Sequence, residues 1–278
     1  MENEAVLQCS ILDPTGNITA IVESPVDIAC QPAAAARIMR RYPEVEQVGF
    51  LRRLPDGSPV CAELRMAGGE FCGNASMSAA ALLLFEGGER TLCLRVSGAS
   101  APVRVRLLPE GEGACQAEIA MPPALEITKI AFSFGVLHGE LPLVRLEGIS
   151  HLVIERESPF FALLSDRPAA EQAVRAFCAA LHADGLGLLF LEGEGDARDM
   201  TPLVYIPGSA TCFWENSCAS GSAAVVVYLA SAAGEATALS LREPGGVLAV
   251  SCEPTSGVTL LRGHVRLIRR TEIPIPAL

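Results

Sequence analysis

The order of apolar and polar residues divides the chain into short strand-like runs separated by a few helices. Residues 6–12 and 18–23 are rich in Ile, Val and Leu, and Asp13-Pro-Thr-Gly-Asn17 breaks them with turn chemistry. Pro32–Arg41 reads as a helix, with an alanine run and a proline where a first turn tolerates it. Strands are predicted over Val45–Leu54 and Val60–Met66, with Pro55-Asp-Gly57 turning between them. Phe71-Cys-Gly-Asn74 then opens an alanine-rich apolar helix that runs to Phe85. Leu92–Val96, Val103–Leu108 and Cys115–Met121 complete this half as strands, and Pro122-Pro123 marks a seam.

The second half repeats that order. Strands are predicted over 126–132 and 150–155, then a helix over Ser165–Leu181, then strands over Gly185–Glu192 and Pro202–Ile206. Glu215-Asn-Ser-Cys218 opens a small-residue helix to Leu229, and Ala236–Leu241, Val247–Cys252, Val258–Leu261 and His264–Ile268 finish as strands. Glu70-Phe-Cys-Gly-Asn-Ala-Ser-Met-Ser-Ala-Ala80 echoes Glu215-Asn-Ser-Cys-Ala-Ser-Gly-Ser-Ala-Ala224. A pseudo-repeat of roughly 140 residues, each unit a curved sheet around one helix, is the economical account. The expected division is a first domain over 1–123 carrying Cys72 and a second over 124–278 carrying Cys218, with a terminal strand free to cross over.

Composition narrows the function classes. Of 278 residues half are apolar and 19% charged, enough for a large core, and 21 basic against 32 acidic residues leave a net charge of −11. Phosphate is repelled by such a surface, so no nucleic-acid partner is expected. The longest charge-poor run, Ser220–Ala233, is too short for a membrane helix, and Met1-Glu-Asn-Glu4 is acidic where a secretory signal is basic. A cytoplasmic protein with no membrane contact is expected. Ten cysteines and four histidines fall at no ligand spacing, so no metal is expected and the thiols read as reduced. A homodimer is the ordinary expectation for its assembly.

Two cysteines stand at two helix starts, and that is a chemical arrangement. The exposed amides and dipole of a helix N-terminus favour a thiolate and can receive a carboxylate. Two such mouths turned toward each other would let one thiolate take the Cα proton of an amino acid while the opposite thiol delivers one to the other face. Backbone N–H groups on the substrate carboxylate would stabilise the enediolate-like charge that develops. The same pattern also suits a non-catalytic protein that holds a small carboxylate, with the cysteines as passive small residues.

Cys72-Gly-Asn74 and Trp214-Glu-Asn-Ser-Cys-Ala-Ser-Gly221 resemble the two cysteine motifs of the diaminopimelate epimerase family, the pyridoxal-independent amino-acid racemases. The likeness is stronger to the histidine racemases of staphylopine-type metallophore biosynthesis. It includes Pro14-Thr-Gly-Asn-Ile-Thr19, Glu46-Gln-Val-Gly-Phe50, Gly69–Ser78, Pro202-Leu-Val-Tyr-Ile-Pro207 and Gly245–Val250. The resemblance implies an α+β fold of two pseudo-symmetric domains, each a barrel-like, mostly antiparallel sheet around a central helix. It implies cofactor-free racemisation by Cys72 and Cys218, interconverting L- and D-histidine for an opine-type metallophore. It places the substrate carboxylate near Gly73, Asn74, Ala219, Ser220 and Gly221, and the ammonium on Asn17 and Glu215.

Departures from the epimerase pattern bear on the substrate. Asn216 stands where those enzymes carry an arginine for a distal carboxylate, and Ile149-Ser-His151 replaces their Asn-Pro-His. Asparagine cannot supply the charge or the two-pronged fork of arginine. A neutral or weakly basic side chain therefore fits better than a second carboxylate, although a diaminopimelate or other amino-acid epimerase stays open as the alternative. Phe50, Phe71, His151 and Trp214 are candidate pocket walls, each with a packing role as the plain alternative. Opposed thiols would also be liable to an inactivating disulfide.

Overall fold

The structure, a computed structural model, describes residues 4–55 and 58–276. Part of the turn expected at Pro55-Asp-Gly57 lies outside the described residues. In chain order the first strands are β1 (Glu4–Pro14), β2 (Thr19–Val22), β3 (Gln47–Arg53), β4 (Ala62–Met66), β5 (Thr91–Val96), β6 (Val103–Gly111) and β7 (Ala114–Met121). Helix α1 (Gln31–Arg41) lies between β2 and β3, and α2 (Gly73–Phe85) between β4 and β5. There follow β8 (Glu126–Phe134), β9 (Leu137–Leu146), β10 (Ile149–Glu155), α3 (Arg167–Leu181), β11 (Leu186–Glu192), β12 (Ala197–Ile206), β13 (Thr211–Trp214), α4 (Ala219–Ala233), β14 (Thr237–Glu243), β15 (Gly246–Glu253) and β16 (Val258–Pro276).

The chain forms two compact units, one of residues 1–119 with 262–278 and one of residues 120–261. In the first, the strand order β1-β2-β3-β4-β5-β6-β7-β16 closes through pairing of β16 with β1, so the sheet is a barrel. Among the described residues, closure leaves this sheet no unpaired edge strand. Helix α2 runs through it, packed against β1 to β6, and every residue from Gly73 to Leu83 is buried. A helix apolar on all sides belongs in such a place, and its Ala and Ser positions keep it thin enough to fit. The amphipathic α1 instead covers the outside of the barrel, over a core of Leu7, Ile11, Ile38, Val48 and Phe50.

The second unit is built the same way. Its sheet runs β15-β14-β12-β11-β10-β9-β8, with β13 added to β12. Helix α4 packs on β9, β10, β11, β14 and β15, and its residues from Ala219 to Val227 are buried. Helix α3 covers the other side over Phe132, Phe160, Phe177 and Phe190. The pairing sense repeats strand for strand: antiparallel, parallel, antiparallel, parallel, antiparallel from β1 to β6, and again from β9 through β10, β11, β12 and β14 to β15. The parallel steps are the ones bridged by helices, as parallel neighbours require. The pseudo-repeat is therefore in the backbone, with α2 and α4 in equivalent places.

Three differences from the pattern reading have physical causes. Strand β9 escapes it because Gly139 and Pro142 interrupt the run. Pro142 is tolerated because β10 pairs only with Leu143–Leu146, so the proline has a ladder on one side alone. Residues 258–261 and 264–268 belong to one strand, β16, which passes through Gly263 and continues to Pro276. Helix α4 runs past Leu229 to Ala233, where Gly234 ends it in the left-handed conformation with φ 73°. Among the described residues no helix is long and apolar enough to cross a membrane.

Candidate active site

Both cysteines cap their own helices. Cys72 (φ −135°, ψ 112°) is the N-cap of α2 and its Sγ accepts the Ala75 N–H at 3.3 Å. Cys218 (φ −128°, ψ 96°) is the N-cap of α4 and its Sγ accepts the Gly221 N–H at 3.4 Å. Each sulfur thus takes the amide three residues on, as a serine or aspartate cap would. That amide is one of the N–H groups a helix cannot satisfy internally, and it favours negative charge on sulfur.

Around Cys72 the first unit supplies neutral polar groups. The thiol donates to Gln47 Oε1 at 2.8 Å, and Gln47 Nε2 donates to Thr19 Oγ1 at 2.8 Å. Thr19 Oγ1 donates in turn to the carbonyl of Asn17 at 3.0 Å. The turn that presents Asn17 has Thr15 and Gly16 at positive φ and is pinned by the Gly16 N–H on Asp13 Oδ1 at 2.6 Å. Asn17, Gly73 and Asn74 are all buried, and Cys72 itself is half-buried. Ser76 Oγ donates to the Cys72 carbonyl at 2.7 Å and fixes the first turn. Glu70 is half-buried just ahead of the motif, and desolvation pushes its carboxyl above the usual range.

Around Cys218 the second unit supplies acids and burial. Cys218 is 3% exposed, and its thiol is held well above its ordinary value by desolvation first, then by the charges of Glu215 and Glu243 and a hydrogen bond to Glu215. Ser220 Oγ lies 3.6 Å from the sulfur and 3.0 Å from His151 Nε2. Burial lowers His151 to about 3, so its imidazole is neutral. Gly187 makes room for it: a Cβ there would sit 2.3 Å from His151 Nδ1. Gly221 is equally constrained, since its Cβ would meet Leu189 Cδ2 at 2.7 Å and Cys218 Sγ at 3.1 Å. Glu243 accepts the Cys218 N–H and the Ser222 hydroxyl, both at 2.6 Å.

Of the residues expected from sequence, Cys72, Gly73, Asn74 and Asn17 gather at the N-terminal end of α2, and Cys218, Ala219, Ser220, Gly221, Glu215 and His151 at that of α4. Asn216 is exposed, and its carbonyl accepts the Gly245 N–H at 2.7 Å. The aromatic residues lie within packing. Phe71 is fully buried, and Phe50 belongs to the core under α1. The Trp214 indole stacks on Phe190 with centroids 5.8 Å apart, lies under the Arg167 guanidinium at 4.9 Å and donates to Glu171. Sequence reasoning missed Gln47 and Glu243 as partners of the cysteines. Glu243 was discoverable, because strand alternation puts it on the face of Leu239 and Leu241. Among the described residues no cluster of His, Cys, Asp or Glu has the makings of a metal site.

Solved structures share this fold. A probable proline racemase from Agrobacterium radiobacter K84 aligns with a TM-score of 0.71 at 13% identity, over 96% of this chain and 92% of that one. A hydroxyproline epimerase from Agrobacterium vitis aligns at 0.67 and 14%, over 100% and 95%. The fold and its thiol-capped helices define a class: the cofactor-independent, cysteine-based racemases and epimerases of small carboxylic and amino acids. Within that class the chain belongs to the histidine racemase family, for residues 7–269 match the family described as "Histidine racemase CntK N-terminal domain". A histidine racemase of Fusobacterium nucleatum is 31% identical over 235 residues, 81% of each chain. One of Staphylococcus aureus is 26% identical over 276 residues, 96% of this chain and 97% of that one.

Proposed function

We propose that the protein racemises histidine at Cα by a two-base mechanism, with Cys72 and Cys218 as the proton acceptor and donor on opposite faces of the substrate. The observation that carries this reading is the equivalence of the two cysteines: each is the N-cap of the central helix of its unit, with its sulfur on the amide three residues later. For one direction, Cys72 removes the Cα proton and Cys218, kept as a thiol by burial and by the neighbouring Glu215, returns a proton to the other face. The reverse direction exchanges the roles. The N-terminal amides of α2 and α4, near Gly73, Asn74, Ala219, Ser220 and Gly221, receive the substrate carboxylate and the charge that develops on it. Asn17 and Glu215 hold the ammonium.

Histidine is favoured by Asn216, which offers no charge to a distal carboxylate, and by the named activity of the relatives. The D-enantiomer then serves opine-type metallophore synthesis in the cytoplasm, where a chain with ten cysteines is chemically at home in reduced form. The test is a racemisation screen of the common amino acids and LL-diaminopimelate with no added cofactor. The proposal expects L-histidine to be turned over fastest. Preference for LL-diaminopimelate would overturn the argument from Asn216, and tight binding of an amino acid without exchange at Cα would overturn the catalytic reading.

A further inference from the structure

The alternation of β14 buries Leu239, Leu241 and Glu243 while Ser240 and Arg242 face solvent. Leucine in place of Glu243 would suit the strand, and a carboxyl on a core face is costly unless it is hydrogen-bonded. Its two donors both come from the start of α4. Oε2 takes the N–H of Cys218 and Oε1 the hydroxyl of Ser222, one turn later, each at 2.6 Å. The bend that follows, Pro244-Gly-Gly246, adds the Gly245 N–H on the carbonyl of Asn216 at 2.7 Å. The end of β14 therefore grips the cysteine motif on both sides of Ser217.

We propose that Glu243 is a positioning residue for Cys218: its carboxyl clamps the N-cap backbone that aims the thiol and, through its charge, sets how readily that thiol gives up its proton. This rests on Cys218 being an acid/base group of the racemase. The titratable and charged groups around the Cys218 sulfur are Glu215, on the loop ahead of α4, and Glu243, on β14; His151, on β10, reaches it only through Ser220 and is neutral. Burial pushes Glu243 up to about 8, so it is mostly uncharged at neutral pH and still accepts the Cys218 amide through its carbonyl oxygen. As pH rises past that value the carboxyl ionises, and its charge opposes thiolate formation next to it. The two groups titrate as a coupled pair, with Cys218 kept in the proton-donating form.

The test compares the full-length wild type with Glu243→Gln. Glutamine keeps an acceptor for the Cys218 N–H and contact with Ser222 but cannot ionise. Protein labelled with 13C at cysteine Cβ, with the Cys218 signal assigned by its loss in Cys218→Ser, reports the thiol titration directly. The expected result is a Cys218 midpoint lower by about one pH unit in Glu243→Gln. Histidine turnover should show a kcat ratio of variant to wild type that changes between pH 7 and pH 9, with KM unchanged within about twofold. Identical titrations and parallel pH profiles would overturn the proposal. Where Glu243→Gln does not fold, Ser222→Ala decides: removing one donor to the carboxylate moves the inflection near pH 8 upward, and an unmoved inflection overturns the claim. A shifted titration in a protein that racemises nothing would support the coupling and remove the racemase reading. An unshifted titration in an active enzyme would do the reverse.

Discussion

The mouths of α2 and α4 use one backbone device in two electrostatic settings. At both, a cysteine in extended conformation caps the helix and takes the amide three residues on. At both, a serine follows four residues after the cysteine. Ser76 turns its hydroxyl to the carbonyl of Cys72, whereas Ser222 turns its own to the buried carboxyl of Glu243. Cys72 is half-buried and donates to a neutral amide oxygen, while Cys218 is buried among acids that keep its proton on. Helix capping alone therefore does not decide which sulfur, in the proposed mechanism, rests as base and which as acid. The residues behind each cap do, and they come from β3 in one unit and from β14 and the loop before α4 in the other.

The comparison is broken most severely at the sulfurs. Cys72→Ala and Cys218→Ala should each lower kcat for histidine racemisation by about a thousandfold or more, measured by chiral chromatography. If either variant retains near-full racemisation, the two-base account fails. Gly221→Ala tests whether the sulfur must lie against its amide. A methyl placed 2.7 Å from Leu189 and 3.1 Å from Sγ has to push one of them away. A loss of about a hundredfold in kcat is expected for a displacement of that kind, with far-UV circular dichroism unchanged.

His151 sharpens the contrast through stability. Its folded-state value of about 3 lies below its ordinary 6.5, so between those values the unfolded chain binds a proton that the folded one refuses. Stability should accordingly fall as pH drops from about 6.5 toward 3. His151→Gln should flatten that acid limb by about 3 kcal/mol at pH 4, read from urea unfolding at pH 4 and pH 7. An equal slope in both proteins would show that the imidazole is not held neutral. The smallest effect belongs to Gln47→Leu, which removes the amide facing Cys72. It should cost about tenfold in kcat while leaving the pH dependence attributed to Cys218 in place. A change in that pH dependence would mean that the two mouths are not set independently.

The helices that the two cysteines cap are legible in the sequence because composition forces them. Runs such as Ala79-Ala-Ala81 and Ala223-Ala-Val-Val-Val227 are too apolar for a surface helix, and a cysteine stands a few residues ahead of each. The echo between those two places made the pseudo-repeat readable. Most strands were visible for the same reason, as Ile, Val and Leu alternate or cluster between turn residues. Strand β9 was hidden by Gly139 and Pro142, whose tolerance depends on β10 pairing with only part of it. The partners of the cysteines were harder. Nothing local marks Gln47 as the neighbour of Cys72, because strand pairing and the seat of α2 bring them together across 25 positions. Glu243 carries a local signal, an acid on the apolar face of its strand, but its meaning depends on α4 being there to receive it.

The central claim is that two different thiols serve the two faces of one carbon. Early turnover of L-histidine in deuterium oxide tests it most directly, with mass spectrometry of each separated enantiomer. The account predicts that the first D-histidine formed carries deuterium at Cα while the remaining L-histidine keeps its protium, since the base that takes the proton is not the one that delivers it. Substantial protium in the first D-histidine, beyond what residual light water supplies, would mean that a single group carries the proton across and would contradict the account.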